Sequence, residues 1–219
     1  MKVLQILPQL NIGGVERGTL DLSKALIQKG HESFVISGGG ILVDELIQSG
    51  AKHYEIPVHI KSLRTLSLAK NLSKTITAID PDIVHVRSRM PAWVNFRAFK
   101  MLQKKPLLIS TFHGLYSFPI YSQVMSFVDH SIAISRTVEK YILKNYKLNE
   151  DDITVIPRGC DPEEFNNNSI NPDHKAKIFN EFPQIVGKKV LIIPGRITKW
   201  KGVAAVSYTH LTLPTRRGV

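Results

Sequence analysis

Between residues 2 and 157, short apolar runs alternate with stretches whose apolar positions recur at helical spacing. KVLQILP, SFVIS, AKHYEIPV, DIVHVRS, PLLISTFHG, HSIAIS and ITVIP read as strands, and KVLIIPG near the end reads as one more. VERGTLDLSKALIQKG has helical spacing through Val15, Leu22, Ala25 and Leu26, with Gly30 as its stop. ILVDELIQSG, SLAKNLSKTITAIDP, PAWVNFRAFKMLQKK, SQVMSFVD and RTVEKYILKNY read as further helices. Pro91 sits in the first turn of one, and Ser135 is placed to cap another. Run-like strands separated by helices predict an α/β fold, a Rossmann-like, doubly wound parallel sheet covered on both sides. Such sheets bind ligands beyond the carboxyl ends of their strands.

The texture changes after residue 157. RGCDPEEFNNNSINPDHKAK is polar and rich in Asn, Asp and Pro, so residues 1–160 are expected to form one domain and 161–186 a linker. Residues 187–202 then begin a second domain with its first strand. The tail VAAVSYTHLTLPTRRGV, 203–219, lacks a helical period and is expected to be non-native or unstructured.

Composition narrows the classes. Hydrophobic residues make up 43% of the 219, enough for a packed core. The single cysteine, Cys160, excludes an internal disulfide and reads as a small buried hydrophobe. No run is long enough to span a bilayer, and the N-terminus is too short and too lightly charged for a secretory signal, so a cytoplasmic location is expected. The formal net charge of +11 favours anionic partners. The cations are dispersed and no nucleic-acid module is visible, which ranks phosphates and an anionic membrane surface above DNA or RNA.

Unusual residues gather just after strands. Gly13 and Gly14 follow the first strand in LNIGGVERG, where they offer helix N-terminal amides to an anion, or merely make a tight turn. With Gly18 they do not fit the dinucleotide fingerprint. Arg87 and Arg89 follow the fourth strand, and His113 and Gly114 follow the fifth. A histidine is more often a satisfied structural residue, but one placed beside a glycine after a buried strand can hydrogen-bond a substrate or polarise a hydroxyl. VLIIPGRITKWKG brings Arg196, Lys199 and Lys201 to a Pro-Gly turn, as a phosphate site would.

The order GGVER, TFHG, IPRGCDPEEF, PGRITKWKG resembles the retaining GT-B-type glycosyltransferases of family four, over roughly residues 1–202. The resemblance implies two Rossmann-like domains facing across a cleft, with a nucleotide sugar as donor and no metal or other cofactor. It implies that Gly13 and Gly14 approach the donor phosphates or sugar, that His113 lies near the transferred sugar as the catalytic group, and that Arg196 and Lys201 grip the diphosphate. Arg87, Arg89 and Gly114 would meet the acceptor. RSRMPAW resembles members that build lipopolysaccharide or other envelope glycans, which implies a glycan or glycolipid acceptor and a protein peripheral on the inner face of the plasma membrane. The helix carrying Arg97, Lys100, Lys104 and Lys105 either touches lipid headgroups or is a solvated face. Arg158 stands where the family usually has asparagine and Cys160 where valine is common; both are read as supporting the site from behind. The family's acidic E-x7-E segment belongs to a donor domain missing here, so the 219-residue chain is expected to be inactive alone. Two other readings remain: a non-catalytic phospholigand-binding module, and a nucleotide-dependent oxidoreductase or epimerase, which would need the absent dinucleotide fingerprint.

Overall fold

The computed structural model describes residues 1–60, 62–116, 119–160, 162–163, 171–190, 192 and 202–204. The chain divides into two compact units, Met1–Gly159 and Cys160–Val219. The first is built on seven strands: β1 (Lys2–Ile6), β2 (Glu32–Ser37), β3 (Lys52–Glu55), β4 (Ile83–Val86), β5 (Leu107–Phe112), β6 (His130–Ala133) and β7 (Ile153–Val155). They form one sheet in the order β3-β2-β1-β4-β5-β6-β7. Every pairing is parallel, with Val3 opposite both Ser33 and Ile83 in the registers that flank β1. The doubly wound fold expected from the alternating pattern is what forms. The strand order reverses at β1 and β4, so the loops leaving these two strands diverge and open a crevice at the carboxyl edge.

The helices are α1 (Gly14–Gln28), α2 (Val43–Gln48), α3 (Ala69–Ile79), α4 (Arg89–Phe99), α5 (Pro119–Ser122) and α6 (Arg136–Asn145). Successive strand side chains alternate between the two faces. On one face Leu4, Ile6, Phe34, Ile36, Val84 and Val86 join Leu72, Ile76 and Ala98 in the larger core. On the other, Val35 packs with Leu20 and Leu46 in a smaller one. The smaller core gives way to polar groups: the Gln5 amide Nε2 donates to the Thr19 carbonyl of α1 at 3.2 Å and to Ser23 Oγ at 3.0 Å. Both partners are buried, so α1 is fixed to the sheet by hydrogen bonds as well as by apolar contact.

Boundaries moved where local chemistry outweighed periodicity. α4 stops at Phe99, and Lys104 beyond it bonds Asp80 at 2.9 Å, drawing that segment back toward α3. The helix expected over SQVMSFVD is short: α5 is followed by a 3-10 turn at Gln123–Ser126. Ser135 caps α6, its Oγ accepting from Val138 N at 3.2 Å. The stretch 161–186, expected to be a linker, contains a helix, α7 (Pro172–Glu181). Asn171 caps it by accepting from Asp173 N at 2.8 Å, and Pro172 occupies the first turn. None of its residues is buried, which is why a search for apolar periodicity passes over it. Residues 191 and 193–201, with Arg196, Lys199 and Lys201, lie outside the described residues, as do 205–219 of the expected tail.

The loops after β1 and β2 are stitched together. Leu10 N donates to Gly39 O at 2.8 Å, Leu42 N to Leu10 O at 2.8 Å, and Gly38 N to Pro8 O at 2.9 Å. Gly40 has φ of +139°, a region costly for other residues, and a Cβ there would overlap the Leu10 backbone. Gly40→Ala is therefore expected to lower stability by about 1–3 kcal/mol in urea unfolding. A change below ~0.5 kcal/mol would show that this stitching is dispensable.

Candidate active site

Three chain segments meet at the crevice. Gly13 and Gly14 open α1 after β1, Arg87 follows β4, and His113 follows β5. Because all strands are parallel, these positions share one edge of the sheet. A fourth segment, after β7, joins them through Arg158.

Arg87 continues the alternation of β4 on the α1 side and is only 6% exposed. Its Nη1 donates to Gln5 Oε1 at 2.7 Å, so the same glutamine that holds α1 also accepts from the guanidinium. Its Nε is buried without a partner among the described residues. Burial lowers the Arg87 pKa to about 10, the nearby Arg158 charge adds to this, and Glu16 and Asp21 on α1 oppose it. It still carries its charge at neutral pH. Buried cations are ordinarily paired, so a buried guanidinium bonded to a neutral amide leaves positive potential at the crevice.

Arg158 lies over α1. One Nη bonds the Gly14 carbonyl and the other bonds His113 Nδ1 at 3.0 Å. A Cβ at Gly18 would run into this guanidinium, so the glycine in the middle of α1 is what lets Arg158 settle on the helix. Arg158 was expected to act from behind the site; it is instead in the site, touching both loops that carry its other residues. Cys160, expected to be buried, is exposed.

His113 is held neutral. Burial, followed by the charges of Arg87 and Arg158, lowers its pKa to about 3. Its Nε2 is buried and has no partner among the described residues. Behind it His85 bonds Thr111 Oγ1 at 2.7 Å and is pushed well below the usual histidine range, mainly by complete burial.

The glycines differ in what they need. Gly13 has φ of 173°, which any residue adopts, and a Cβ there would meet only the flexible Glu16 carboxylate. Around Gly14 and Gly114 a Cβ would find open space. The fold therefore does not demand glycine at 13 and 14, whereas the backbone of Gly114, with φ of +159°, favours it; the space beside Gly14 and Gly114 is open. Arg89 turns elsewhere: its guanidinium lies over the rings of Tyr116 and Tyr121, with centroids at 4.9 and 5.3 Å, and Nη1 reaches Ser122 Oγ at 3.4 Å. The structure thus unites Gly14, Arg87 and His113 through Arg158, and gives Arg89 to the β5–α5 loop. Pattern reading missed Gln5 and Arg158. Gln5 was visible as the one polar side chain inside KVLQILP, and Arg158 as a departure from the family's asparagine.

This arrangement, a cationic crevice at the order reversal of a parallel sheet, defines a Rossmann-like α/β domain. Residues 12–164, well over half of the chain, match Glycosyltransferase Family 4, and the chain belongs to that family. It is 30% identical to an uncharacterized glycosyltransferase of Methanocaldococcus jannaschii, across 74% of this chain and 43% of that protein. A glycosyltransferase from Rickettsia africae ESF-5 superposes with a TM-score of 0.74 at 35% identity, covering 96% of this chain and 57% of that one. Anabaena HepE, solved in complex with UDP-glucose, shares the fold with a TM-score of 0.70 at 17% identity, over 93% of this chain and 55% of that one. The chain therefore spans about half the length of these relatives.

The depressed pKa of His113 has a pH signature. An unfolded histidine titrates near 6.5, so between about pH 6.5 and 3 the unfolded chain binds a proton that folded His113 refuses. This contribution favours the fold above pH 6.5 and is lost as pH falls, by up to ~1.4 kcal/mol per pH unit. Urea midpoints measured from pH 7 to 5 are expected to fall, and His113→Gln to flatten the fall; an unchanged slope would place His113 in water. Gln5→Leu strips Arg87 of its acceptor and is expected to cost about 1.5–3 kcal/mol, the range for hydrogen bonds to charged groups.

Proposed function

We propose that the protein transfers a sugar, with retention of configuration, from a nucleotide-sugar donor to an envelope glycan or lipopolysaccharide-type acceptor. The observation that carries this reading is the meeting of Arg87, Arg158, His113 and the amino end of α1 at the sheet's order reversal, in a chain of family four. In the transfer, the bond from the anomeric carbon to the diphosphate breaks and a bond to the acceptor hydroxyl oxygen forms. The electron pair leaves with the diphosphate. For retention, acceptor and leaving group share one face of the sugar, so a phosphate oxygen is positioned to take the hydroxyl proton.

Each residue then has a task. The α1 amides at Gly13 and Gly14 face the donor phosphates, where the helix dipole favours negative charge. Arg196 and Lys201, which lie outside the described residues, are assigned to the diphosphate. Cations in these positions stabilise charge as it develops on the leaving group, which is why no metal is invoked. His113 meets the transferred sugar. Arg87 and Gly114 face the acceptor, and Arg89 shapes its side of the pocket from between two tyrosines.

No helix among the described residues is long and apolar enough to cross a membrane. We place the protein in the cytoplasm, on the inner face of an anionic membrane. Two of the four basic residues suggested for that surface have other contacts: Lys104 pairs with Asp80 at 2.9 Å, and Lys100 lies 4.4 Å from the Phe96 centroid. Arg97 and Lys105 remain exposed for headgroups.

The test pairs binding with transfer. UDP-glucose, chosen because it occupies the Anabaena structure, and lipopolysaccharide core oligosaccharides are titrated in while backbone amide shifts are followed. The first shifts are expected at Gly13, Gly14, His113 and Gly114. Arg87→Lys is expected to weaken acceptor binding about tenfold, the loss of ~1.4 kcal/mol that follows from breaking a fixed guanidinium contact. Shifts confined to other loops would overturn the assignment. Binding of nucleotide sugar by the complete enzyme without UDP release in the presence of acceptor would favour a phospholigand-binding module instead.

A further inference from the structure

We propose that Arg158 is a positioning residue that locks His113 in the neutral tautomer with its proton on Nε2, so that the ring meets substrate as a hydrogen-bond donor and never as a general base. The inference deepens the site reading above, and only its kinetic arm depends on sugar transfer.

The argument begins with what a guanidinium can do. Arginine has N–H donors and no acceptor. The 3.0 Å contact between Arg158 Nη2 and His113 Nδ1 therefore requires a lone pair on Nδ1. With Nδ1 accepting, the proton of the neutral ring must sit on Nε2. That nitrogen is buried and has no partner among the described residues, so its N–H is left for an acceptor that reaches it when the site is occupied. A ligand oxygen is the acceptor it lacks.

The charged and titratable neighbours agree with this from every side. Arg87 after β4 and Arg158 after β7 both oppose a proton on His113, which itself lies close enough to His85 on β4 to lower that residue's pKa. Glu16 and Asp21 on α1 act on the two arginines, and Tyr116 on the following loop hydrogen-bonds the His113 backbone. Among the described residues no carboxylate acts on the ring to stabilise an imidazolium. A second protonation would bring a cation against the Arg158 guanidinium. The ring is thus barred from accepting a proton at Nδ1 by the bond it makes, and at Nε2 by the hydrogen already there.

Arg158 is itself held. Its other Nη bonds the Gly14 carbonyl, and its bed on α1 exists because residue 18 has no side chain. One guanidinium thereby links the α1 turn assigned to donor phosphates with the ring assigned to the transferred sugar. Asparagine at position 158 offers an amide that can donate or accept, and so leaves the tautomer open.

The experiment is a long-range 15N–1H correlation of the histidine rings in the 219-residue protein at pH 7, with His113 assigned by His113→Gln. The wild type is expected to show the Nε2–H pattern and no titration down to pH 5. Arg158→Asn is expected to populate the Nδ1–H form and to raise the apparent pKa by at least one unit. Gly18→Ala displaces the guanidinium without touching the ring, and alanine favours a helix interior, so it serves as the second variant if Arg158→Asn fails to fold. Its expected result is the same shift toward mixed tautomers. In transfer assays on the complete enzyme, with its donor-binding half present, Arg158→Asn is expected to lower kcat at least tenfold with little change in donor KM. An Nδ1–H ring in the wild type, or a tautomer and pKa unmoved by the substitution that folds, overturns the proposal. A locked ring in a complete enzyme, with its donor-binding half present, that transfers no sugar refutes the transferase reading and leaves the role of Arg158 intact.

Discussion

The bond between Arg87 and Gln5 is the constraint on which the site depends. A guanidinium that is nine-tenths buried must find acceptors inside the protein or force water in. Here β1 supplies one acceptor across the gap to β4, where the two halves of the sheet diverge. The same amide donates to the α1 backbone, so one side chain joins two strands and a helix. The position of the α1 amino end, and with it the two glycines, follows from that three-way junction. Removing any member leaves a buried polar atom unsatisfied, which is why the cost falls on the whole corner.

Above this junction the charges are arranged to repel one another in the unliganded protein. Arg158 lowers the proton affinity of Arg87, both arginines lower that of His113, and among the described residues Glu16 and Asp21 on α1 act against this on the two arginines. An arrangement of this kind is stabilised by what it binds. An anionic group entering the crevice relieves the repulsion, and a hydroxyl satisfies the orphaned Nε2–H.

The architecture was legible because its signal is redundant. Seven apolar runs, each followed by a helix or turn, leave little freedom in topology once crossovers are right-handed. The edge carrying Gly14, Arg87 and His113 followed from the rule that ligands bind beyond strand ends. What could not be read was depth and partnership. Arg87 looks like an exposed edge residue in VHVRSRM, yet the two-residue period of β4 carries it under α1 beside Gln5. Arg89, two residues on, has already entered a helix and points to tyrosines instead. Arg158 is distant in sequence from everything it touches, and long side chains after a strand do not announce their direction. α7 escaped because a helix with no buried face has no apolar stripe to detect.

Gly18 and Arg158 also constrain each other. The guanidinium occupies the volume a side chain at residue 18 would fill. A side chain at 18 would leave arginine at 158 in the chain but push its guanidinium off the helix, so glycine is kept there at the expense of helix propensity. The two positions, 140 residues apart in the chain, are thus coupled through one volume: what stands at 18 decides where the end of residue 158 comes to rest.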